Sequence, residues 1–180
     1  MKTQLALWRC IKAGDVFYDI GANVGFYTLL GGGRVGVAGR IYSFEPLPEN
    51  IAHLKRHIVL NHLTNCEGIE AAVSDVDGFA QFDSSRPRSM GWLSETGDQT
   101  VRTVCLDSLV TSKRIRPPRG MKIDVEGDEA RALPVANRSS PFIAQRFFLP
   151  PMVPWPRRVY SVPSCSRLQS SVSQFLAARP

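Results

Sequence analysis

The amino-acid sequence predicts an α/β fold, a doubly wound parallel sheet with helices on both faces. Three features of the first 133 residues support this prediction. Apolar, β-prone runs alternate with helical patterns, the first run passes directly into a glycine-rich turn, and an acidic residue, Glu45, closes the second run. Strands and helices that alternate in this way are typical of parallel sheets.

The first strand is expected at the apolar run of residues 16–20. The turn Gly21-Ala22-Asn23-Val24-Gly25 follows it, and Phe26 begins the next helix. Three consecutive glycines, residues 31–33, interrupt the helical pattern, and each costs about 1 kcal/mol relative to alanine in a helix interior. We therefore expect this helix to be short or frayed.

A second strand is expected at residues 40–44, and a helix at residues 48–60 follows it. Pro48 suits the first turn of a helix, and apolar residues recur at helical spacing after it. Residues 69–73 form another apolar run. This run predicts a third strand.

The next part of the chain contains alternating runs at residues 79–82 and 101–104, which predict half-exposed strands. The polar segment between them, residues 84–100, contains Gly and Pro and predicts a loop. A further apolar run at residues 121–125 predicts a fourth parallel strand, and residues 128–133 begin a helix.

The charge distribution divides the chain into two unlike parts. The whole chain has 22 Lys+Arg and 16 Asp+Glu, but residues 1–133 hold 16 of each. Residues 134–180 hold six Arg, no acid, no Lys and no Gly, with eight of the 13 Pro. We therefore expect a domain at residues 1–133 and a disordered tail at residues 134–180. The abrupt change of composition is also typical of a reading frame that changed near residue 133.

The composition also limits the class of protein. No apolar run approaches the roughly 18–20 residues of a membrane-spanning helix, and the first residues do not resemble a secretory signal. The four cysteines are widely spaced and form no C-x-x-C pair, which argues against a zinc site or a disulfide framework. These features predict a reduced, cytoplasmic protein.

The turn after the first strand, together with Glu45, predicts a nucleoside-binding crevice. Glycines allow a sharp turn, and an acid at the end of the second strand is placed to accept hydrogen bonds from ribose hydroxyls. The spacing Asp-x-Gly-x-Asn-x-Gly differs from the dinucleotide pattern G-x-G-x-x-G. Asp19 would repel a pyrophosphate but accept hydrogen bonds from an ammonium, so the chemistry favours S-adenosylmethionine over NAD.

Five ordered motifs resemble the FkbM-type S-adenosylmethionine-dependent methyltransferases. They are YDIGANVGFYT from Tyr18, SFEP from Ser43, AAVSD from Ala71, CLDSL from Cys105 and KIDVEG from Lys122. The resemblance covers about residues 14–133. It implies a class I methyltransferase fold, a Rossmann-like sheet of order 3-2-1-4-5-7-6, and methyl transfer to a hydroxyl oxygen of a small molecule or glycan. Because nothing matches from residue 134 onward, the last strands would be missing and strand four would become an edge.

The same resemblance assigns roles to residues of the predicted crevice. Asp19, Gly21, Asn23 and Gly25 would line the methionine end of the cofactor. Glu45 would hold the ribose. Ala72, Val73 and Asp75 would lie beside the adenine.

Asp124 and Glu126 end the fourth predicted strand and are the candidate catalytic residues. Carboxylates beside the sulfonium would orient the acceptor hydroxyl or take up its proton. The alternative is structural: Asp124 would brace the turn and Glu126 would cap the following helix. No histidine accompanies them, so we expect no metal site.

Two further features have a functional and a structural interpretation. His53 and His57 have the spacing of a metal-binding pair, but no third ligand is evident, which favours a solvated helix face. The basic cluster at residues 113–119 would attract an anionic group or form a solvated loop.

The expected partner is a small-molecule or glycan hydroxyl acceptor. The segment after the fourth strand lacks the Pro-Pro-Tyr type of motif that base-modifying enzymes carry there. The arginines of the tail are not accompanied by the ordered aromatic platforms on which bases stack. No specific nucleic acid is therefore expected as a partner. Two other hypotheses remain. In the first, the chain is an inactive remnant that binds the cofactor and carries a basic tail. In the second, it is an NAD-dependent oxidoreductase.

Overall fold

The computed structural model describes residues 8–83, 92–93 and 97–125. Eight strands and three helices with defined bounds lie in these residues. In chain order they are β1 (Val16–Ile20), α1 (Phe26–Val35), β2 (Arg40–Phe44), α2 (Pro48–Leu60), β3 (Cys66–Ile69), β4 (Ala72–Val73), β5 (Gly78–Asp83), β6 (Trp92–Leu93), β7 (Gln99–Val104), α3 (Leu106–Thr111) and β8 (Gly120–Ile123).

The main sheet has four parallel strands in the order β3-β2-β1-β8. This order matches the first four positions of the class I methyltransferase sheet, with β8 as the fourth strand. Within the described residues, no strand pairs with the outer edge of β8. The strand bounds at residues 16–20 and 40–44 and the helix at residues 48–60 are confirmed. The predicted fold class is therefore confirmed.

Side chains that alternate along the strands are buried on both faces of this sheet. Phe17, Ile41 and Cys66 pack on one face with Val35 of α1. Tyr18 and side chains of the neighbouring strands pack on the other face against β7 and α3. The members of this second cluster include Tyr42, Phe44, Val104, Leu106 and Met121. Helices thus cover both faces, as a doubly wound sheet requires.

The predicted third strand at residues 69–73 is wrong in its position. The strand in the main sheet begins at Cys66 and ends at Ile69, where the amide of Ala71 donates to the carbonyl oxygen of Ile69 at 3.0 Å. This tight turn carries the chain into a second sheet, in which Ala72 and Val73 pair with β7. The apolar run predicted a single strand because periodicity alone does not reveal a change of sheet.

The expectation of a short or frayed first helix is also wrong. Helix α1 continues through its three glycines to Val35. Gly31 and Gly32 lie directly on the sheet, where an added Cβ would be 3.0 Å from Ile41 Cδ1 and 2.5 Å from Cys66 Sγ, respectively. The close packing of helix on sheet therefore outweighs the low helix propensity of glycine.

The second sheet has the order β4-β7-β5-β6. The two predicted half-exposed strands are present within longer antiparallel strands, β5 and β7. The predicted loop at residues 84–100 contains β6 and the start of β7, and its residues 84–91 and 94–96 lie outside the described residues. The predicted helix at 128–133 and the tail at 134–180 also lie outside them. No helix in the described part of the chain is long and apolar enough to cross a membrane.

Candidate functional site

The candidate site lies at the carboxyl ends of β1, β2 and β8, where the turn after β1 meets the end of β2. The amides of Gly21 and Ala22 each donate to the carbonyl oxygen of Phe44 at 3.0 Å. The amide of Asn23 donates to Glu45 Oε2 at 2.9 Å. The structure therefore brings together the turn and the acid that the sequence places in one crevice.

Glu45 is buried, and most of its acceptor positions are used within the protein. The amide of Leu47 and the side-chain amide of Asn50 donate to Oε1 at 3.1 and 3.2 Å. With the bond from Asn23 to Oε2, these interactions use three acceptor positions. A carboxylate offers about four. With respect to donors in the described residues, one position on Oε2 therefore remains for a ligand.

Burial raises the pKa of Glu45 above its ordinary value, and hydrogen bonds from Leu47, Asn50 and Asn23 oppose this rise. The folded protein therefore holds this proton to a higher pH than the unfolded chain does. Glu45 stabilises the fold below its unfolded pKa, and this contribution is lost as the pH rises through the folded pKa. As the pH falls through the raised pKa, the carboxylate becomes neutral and a weaker acceptor.

The two glycines of the turn are required by protein packing. Gly21 has φ +70° and Gly25 has φ +97°, in the region that favours glycine. A Cβ on Gly21 would overlap the carbonyl oxygen of Asp124, and one on Gly25 would overlap the side chain of Leu54. These glycines thus allow the residue after β8 and helix α2 to approach the turn, whereas the sequence predicts only a sharp turn that lines the methionine end of the cofactor.

Asp19 is fully buried beneath the turn, on the face of the sheet that α1 covers. Thr28 Oγ1 donates to its Oδ2 at 2.8 Å and lies 2.7 Å from Ser43 Oγ. Asp19 Oδ1 accepts no directed hydrogen bond from the residues that the structure describes, but it lies 3.2 Å from Lys122 Nζ, so that contact is ionic. Asp19 does face an ammonium, as its chemistry predicts, but this ammonium belongs to the protein itself.

Lys122 is a site residue that the sequence analysis did not identify. It is only 4% exposed, and its Nζ donates to the carbonyl oxygen of Gly21 at 2.6 Å. Register pairs Lys122 directly with Asp19 across β1 and β8. The sequence held a signal, because Lys122 lies between the apolar residues Met121 and Ile123 of a predicted strand. A lysine is rarely buried unless it is paired.

Asp124 follows β8 and lies at the same edge as the turn. Its amide donates to the carbonyl oxygen of Ile20 at 3.0 Å, and its side chain is 57% exposed. Its Oδ2 lies 3.6 Å from Lys122 Nζ. Asp124 therefore combines a fixed backbone with a carboxylate that is open to solvent. The other predicted catalytic residue, Glu126, lies outside the described residues.

The three residues expected beside the adenine differ in their environments. Ala72 and Val73 are buried, and Ala72 packs in a small cluster with Leu47, the residue before helix α2. Asp75 is exposed and accepts a hydrogen bond from Ser74 Oγ at 3.1 Å. Because Leu47 donates to Glu45, Ala72 is linked to the acid of the crevice through one intervening residue.

The basic cluster at residues 113–119 lies away from the crevice. The amide of Arg119 donates to the carbonyl oxygen of Val16, at the amino end of β1, and its side chain pairs with Asp15 at 3.3 Å. Arg114 pairs with Glu67 of β3 at 2.5 Å. These contacts favour the structural interpretation of the cluster.

His57 supports the turn from helix α2. Its Nδ1 lies 2.7 Å from the carbonyl oxygen of Val24, so this nitrogen donates a hydrogen bond. The His53 ring lies 6.5 Å from the His57 ring. In residues 8–83, 92–93 and 97–125, no three His, Cys, Asp or Glu side chains are grouped to hold a metal ion.

Comparison with known sequences gives a protein family and a curated relative that the chain matches. The methyltransferase FkbM domain matches residues 19–149, more than half of the chain. The hexuronic acid methyltransferase AglP of Haloferax volcanii is 28% identical over 121 residues, which cover 66% of this chain and 48% of that protein. The chain therefore spans about half the length of this curated relative.

Among solved structures, the chain is similar to the FkbM methyltransferase of Methylobacillus flagellatus, with 17% identity and a TM-score of 0.48. That match covers 68% of this chain and 28% of the other. A precorrin-6y C5,15-methyltransferase of Geobacter metallireducens gives 13% identity and a TM-score of 0.46, over 74% of this chain and 52% of the other.

Proposed function

Since the chain belongs to the FkbM methyltransferase family, we propose that it transfers a methyl group from S-adenosylmethionine to a hydroxyl oxygen of a small molecule or glycan. One observation carries this proposal. The turn after β1 is bonded through Asn23 to the buried Glu45, at the carboxyl ends of parallel strands. In open α/β sheets, nucleotide-like ligands bind at this edge.

The charges of the crevice support a cationic cofactor. Its described ionisable groups include the carboxyl groups of Asp19, Glu45 and Asp124 and one ammonium, that of Lys122. An excess of acid repels a pyrophosphate and attracts a cation. S-adenosylmethionine carries a sulfonium, whereas NAD carries a pyrophosphate, so this balance favours the methyl donor.

The residues of the crevice fit the parts of this cofactor. Glu45 retains one acceptor position for a ribose hydroxyl. The backbone of Gly21, Asn23 and Gly25 would line the methionine end. Asp19 would stabilise this end from beneath the turn. The adenine would lie beside Ala72, Val73 and Asp75. The cofactor supplies an electrophilic methyl group, and the protein supplies the orientation that makes displacement efficient.

Asp124 is the proposed catalytic carboxylate. Its side chain is exposed at the crevice edge, while the hydrogen bond from its amide to Ile20 fixes its backbone. Within hydrogen-bond reach of the acceptor, it would orient the hydroxyl and take up its proton as the methyl group moves. Glu126 is the second candidate for this role, on the basis of its position in the sequence.

A carbohydrate acceptor is suggested by the relative whose name describes hexuronic acid methylation. A hexuronic acid carries both hydroxyl and carboxylate groups, and these give chemically distinct products. A methyl ether resists mild base, whereas a methyl ester is cleaved by it. The proposal specifies the ether.

The alternative function is cofactor binding without turnover. The observation that favours it is β8, whose outer edge has no strand partner within the described residues. An edge left without a partner would expose the backbone of the strand that leads to Asp124. The crevice between β1 and β2 would then bind the cofactor while the acceptor side fails to form.

The test is methyl transfer from S-adenosylmethionine labelled in its methyl group. The full chain is incubated with glucuronic acid, galacturonic acid, their oligosaccharides and simple phenols, and labelled products are treated with mild base. Base-resistant label that is lost in Asp124→Asn, and retained in the matched surface variant Glu70→Gln, would support the proposal. Label released by base would contradict the hydroxyl acceptor. Cofactor binding without any transfer would favour the alternative.

A further inference from the structure

Lys122 is a buried cation at the crevice to which the proposed function assigns no role. It is the residue through which three parts of the site meet. Its Nζ donates to the carbonyl oxygen of Gly21 at 2.6 Å and lies 3.4 Å from that of Ile20, where the turn begins. The same nitrogen lies 3.2 Å from Asp19 Oδ1 and 3.6 Å from Asp124 Oδ2.

The surroundings of Lys122 leave its ammonium little freedom. The residue is 4% exposed, and its Nζ lies 5.3 Å from the centroid of the Tyr27 ring, within the range of a cation–π contact. An ammonium has three hydrogens, and the Gly21 and Ile20 carbonyls, Asp19 and Asp124 all lie within 3.6 Å of it. Lys122 is therefore engaged with the protein itself and is not a free cation for an anionic ligand.

The ammonium of Lys122 also provides a charge partner for the fully buried carboxylate of Asp19. A buried carboxylate is costly unless it is paired. Lys122 provides the opposite charge from the neighbouring strand, and Thr28 provides a hydrogen bond to the other oxygen. The negative charge of Asp19, which the sequence predicts on the ligand side of the turn, is thus balanced by Lys122 beneath the turn.

We propose that Lys122 is a positioning residue, which fixes the turn at Gly21 in the arrangement that binds the amino-acid end of the cofactor and holds the Asp124 carboxylate at the edge of the crevice. This inference rests on the proposed function and deepens it. Removal of the ammonium frees the Gly21 carbonyl and leaves Asp19 unpaired. The nucleoside end, which depends on Glu45, keeps all its hydrogen bonds.

The affinities of two nucleoside ligands report separately on these two ends of the crevice. S-adenosylhomocysteine contains the nucleoside and the amino-acid end, and 5′-methylthioadenosine contains the nucleoside alone. A charge-assisted hydrogen bond contributes enough to change affinity by about tenfold or more. We expect Lys122→Met to lower the affinity for S-adenosylhomocysteine by about this factor, and to change the affinity for 5′-methylthioadenosine by less than about twofold.

The variants are chosen so that a folding defect does not decide the result. Lys122→Met alone leaves Asp19 as an unpaired buried carboxylate, whereas Asp19→Asn/Lys122→Met removes both charges and keeps similar side-chain volumes. Lys55→Met is the matched control, because Lys55 is half-exposed and its nearest described carboxylate, that of Glu70, is 3.8 Å away. It should bind both ligands as the original chain does.

A ligand-free measurement tests the same inference independently of the proposed function. Amide hydrogen exchange reports the opening of the turn, whose Gly21 and Ala22 amides are bonded to Phe44. We expect the double variant to exchange these amides at least about tenfold faster than the original chain. Exchange in helix α2, residues 48–60, should be unchanged.

The outcomes distinguish the two proposals. Faster exchange in the turn with a selective loss of S-adenosylhomocysteine supports the role of Lys122. That role would be overturned by an equal loss of affinity for both ligands, by tighter binding of S-adenosylhomocysteine, or by unchanged exchange in the turn. If the original chain binds neither ligand, the proposed function fails, while the exchange measurement still decides whether Lys122 holds the turn.

Discussion

Replacement of Gly21 by alanine tests how closely the turn and β8 approach each other. The backbone at Gly21 has φ +70°, a conformation that costs an alanine about 1–2 kcal/mol. The new Cβ would overlap the carbonyl oxygen of Asp124 and lie 2.9 Å from its carbonyl carbon. Overpacking against backbone costs about 1–3 kcal/mol more. The predicted loss is about 2–5 kcal/mol, a large part of the roughly 5–15 kcal/mol that stabilises a domain.

The matched control for this variant is Gly14→Ala. Gly14 has φ +84°, but an added Cβ would meet nothing within 4 Å, so only the conformational cost applies. Urea denaturation of the full chain, followed by circular dichroism, measures both free energies of unfolding. Gly21→Ala should be less stable than Gly14→Ala by about 1–3 kcal/mol, the overpacking contribution. Equal stabilities would refute the close approach of β8 to the turn.

Three further predictions follow from the packing and the charges. Thr28→Val removes the hydroxyl that donates to Asp19 and should destabilise the fold by about 1–3 kcal/mol in urea denaturation. Thr28→Ser keeps the hydroxyl and should cost less, about 0.8 kcal/mol for the one buried methyl group that it removes. Gly33→Ala, on the exposed side of α1, should stabilise the fold by up to about 1 kcal/mol. Gly32→Ala should destabilise the fold, because its Cβ would meet a buried sulfur. Thermal melts in which Gly32→Ala is more stable than Gly33→Ala would contradict this packing. S-adenosylhomocysteine affinity, measured by calorimetry, should fall as the pH drops through the raised pKa of Glu45, and Glu45→Gln should remove this dependence.

The first two strands of the main sheet, β1 and β2, were predictable because their apolar runs are short and bounded by turns. The helix that begins at Pro48 was predictable because its start and its apolar spacing agree. The helix across the three glycines was not, since local propensity opposes it. It forms because Gly31 and Gly32 permit close packing on Ile41 and Cys66, which are distant in the sequence.

The candidate site shows the same division between local and distant information. The link between Asn23 and Glu45 follows from two motifs that end neighbouring parallel strands, and the sequence predicts their proximity. The pairing of Asp19 with Lys122 depends on the register of β8 against β1, which no local pattern in the sequence specifies. For this reason the sequence alone predicts Asp19 beside the ligand and assigns no role to Lys122.

The central claim is that the joined turn and Glu45 bind the nucleoside of S-adenosylmethionine. Its most direct test is calorimetric titration of the full chain with S-adenosylhomocysteine, for the original sequence, Glu45→Ala and the surface control Glu70→Ala. We predict saturable binding that Glu45→Ala weakens by at least about tenfold and that Glu70→Ala leaves unchanged. No binding by the original chain, or equal binding by all three proteins, would contradict the claim.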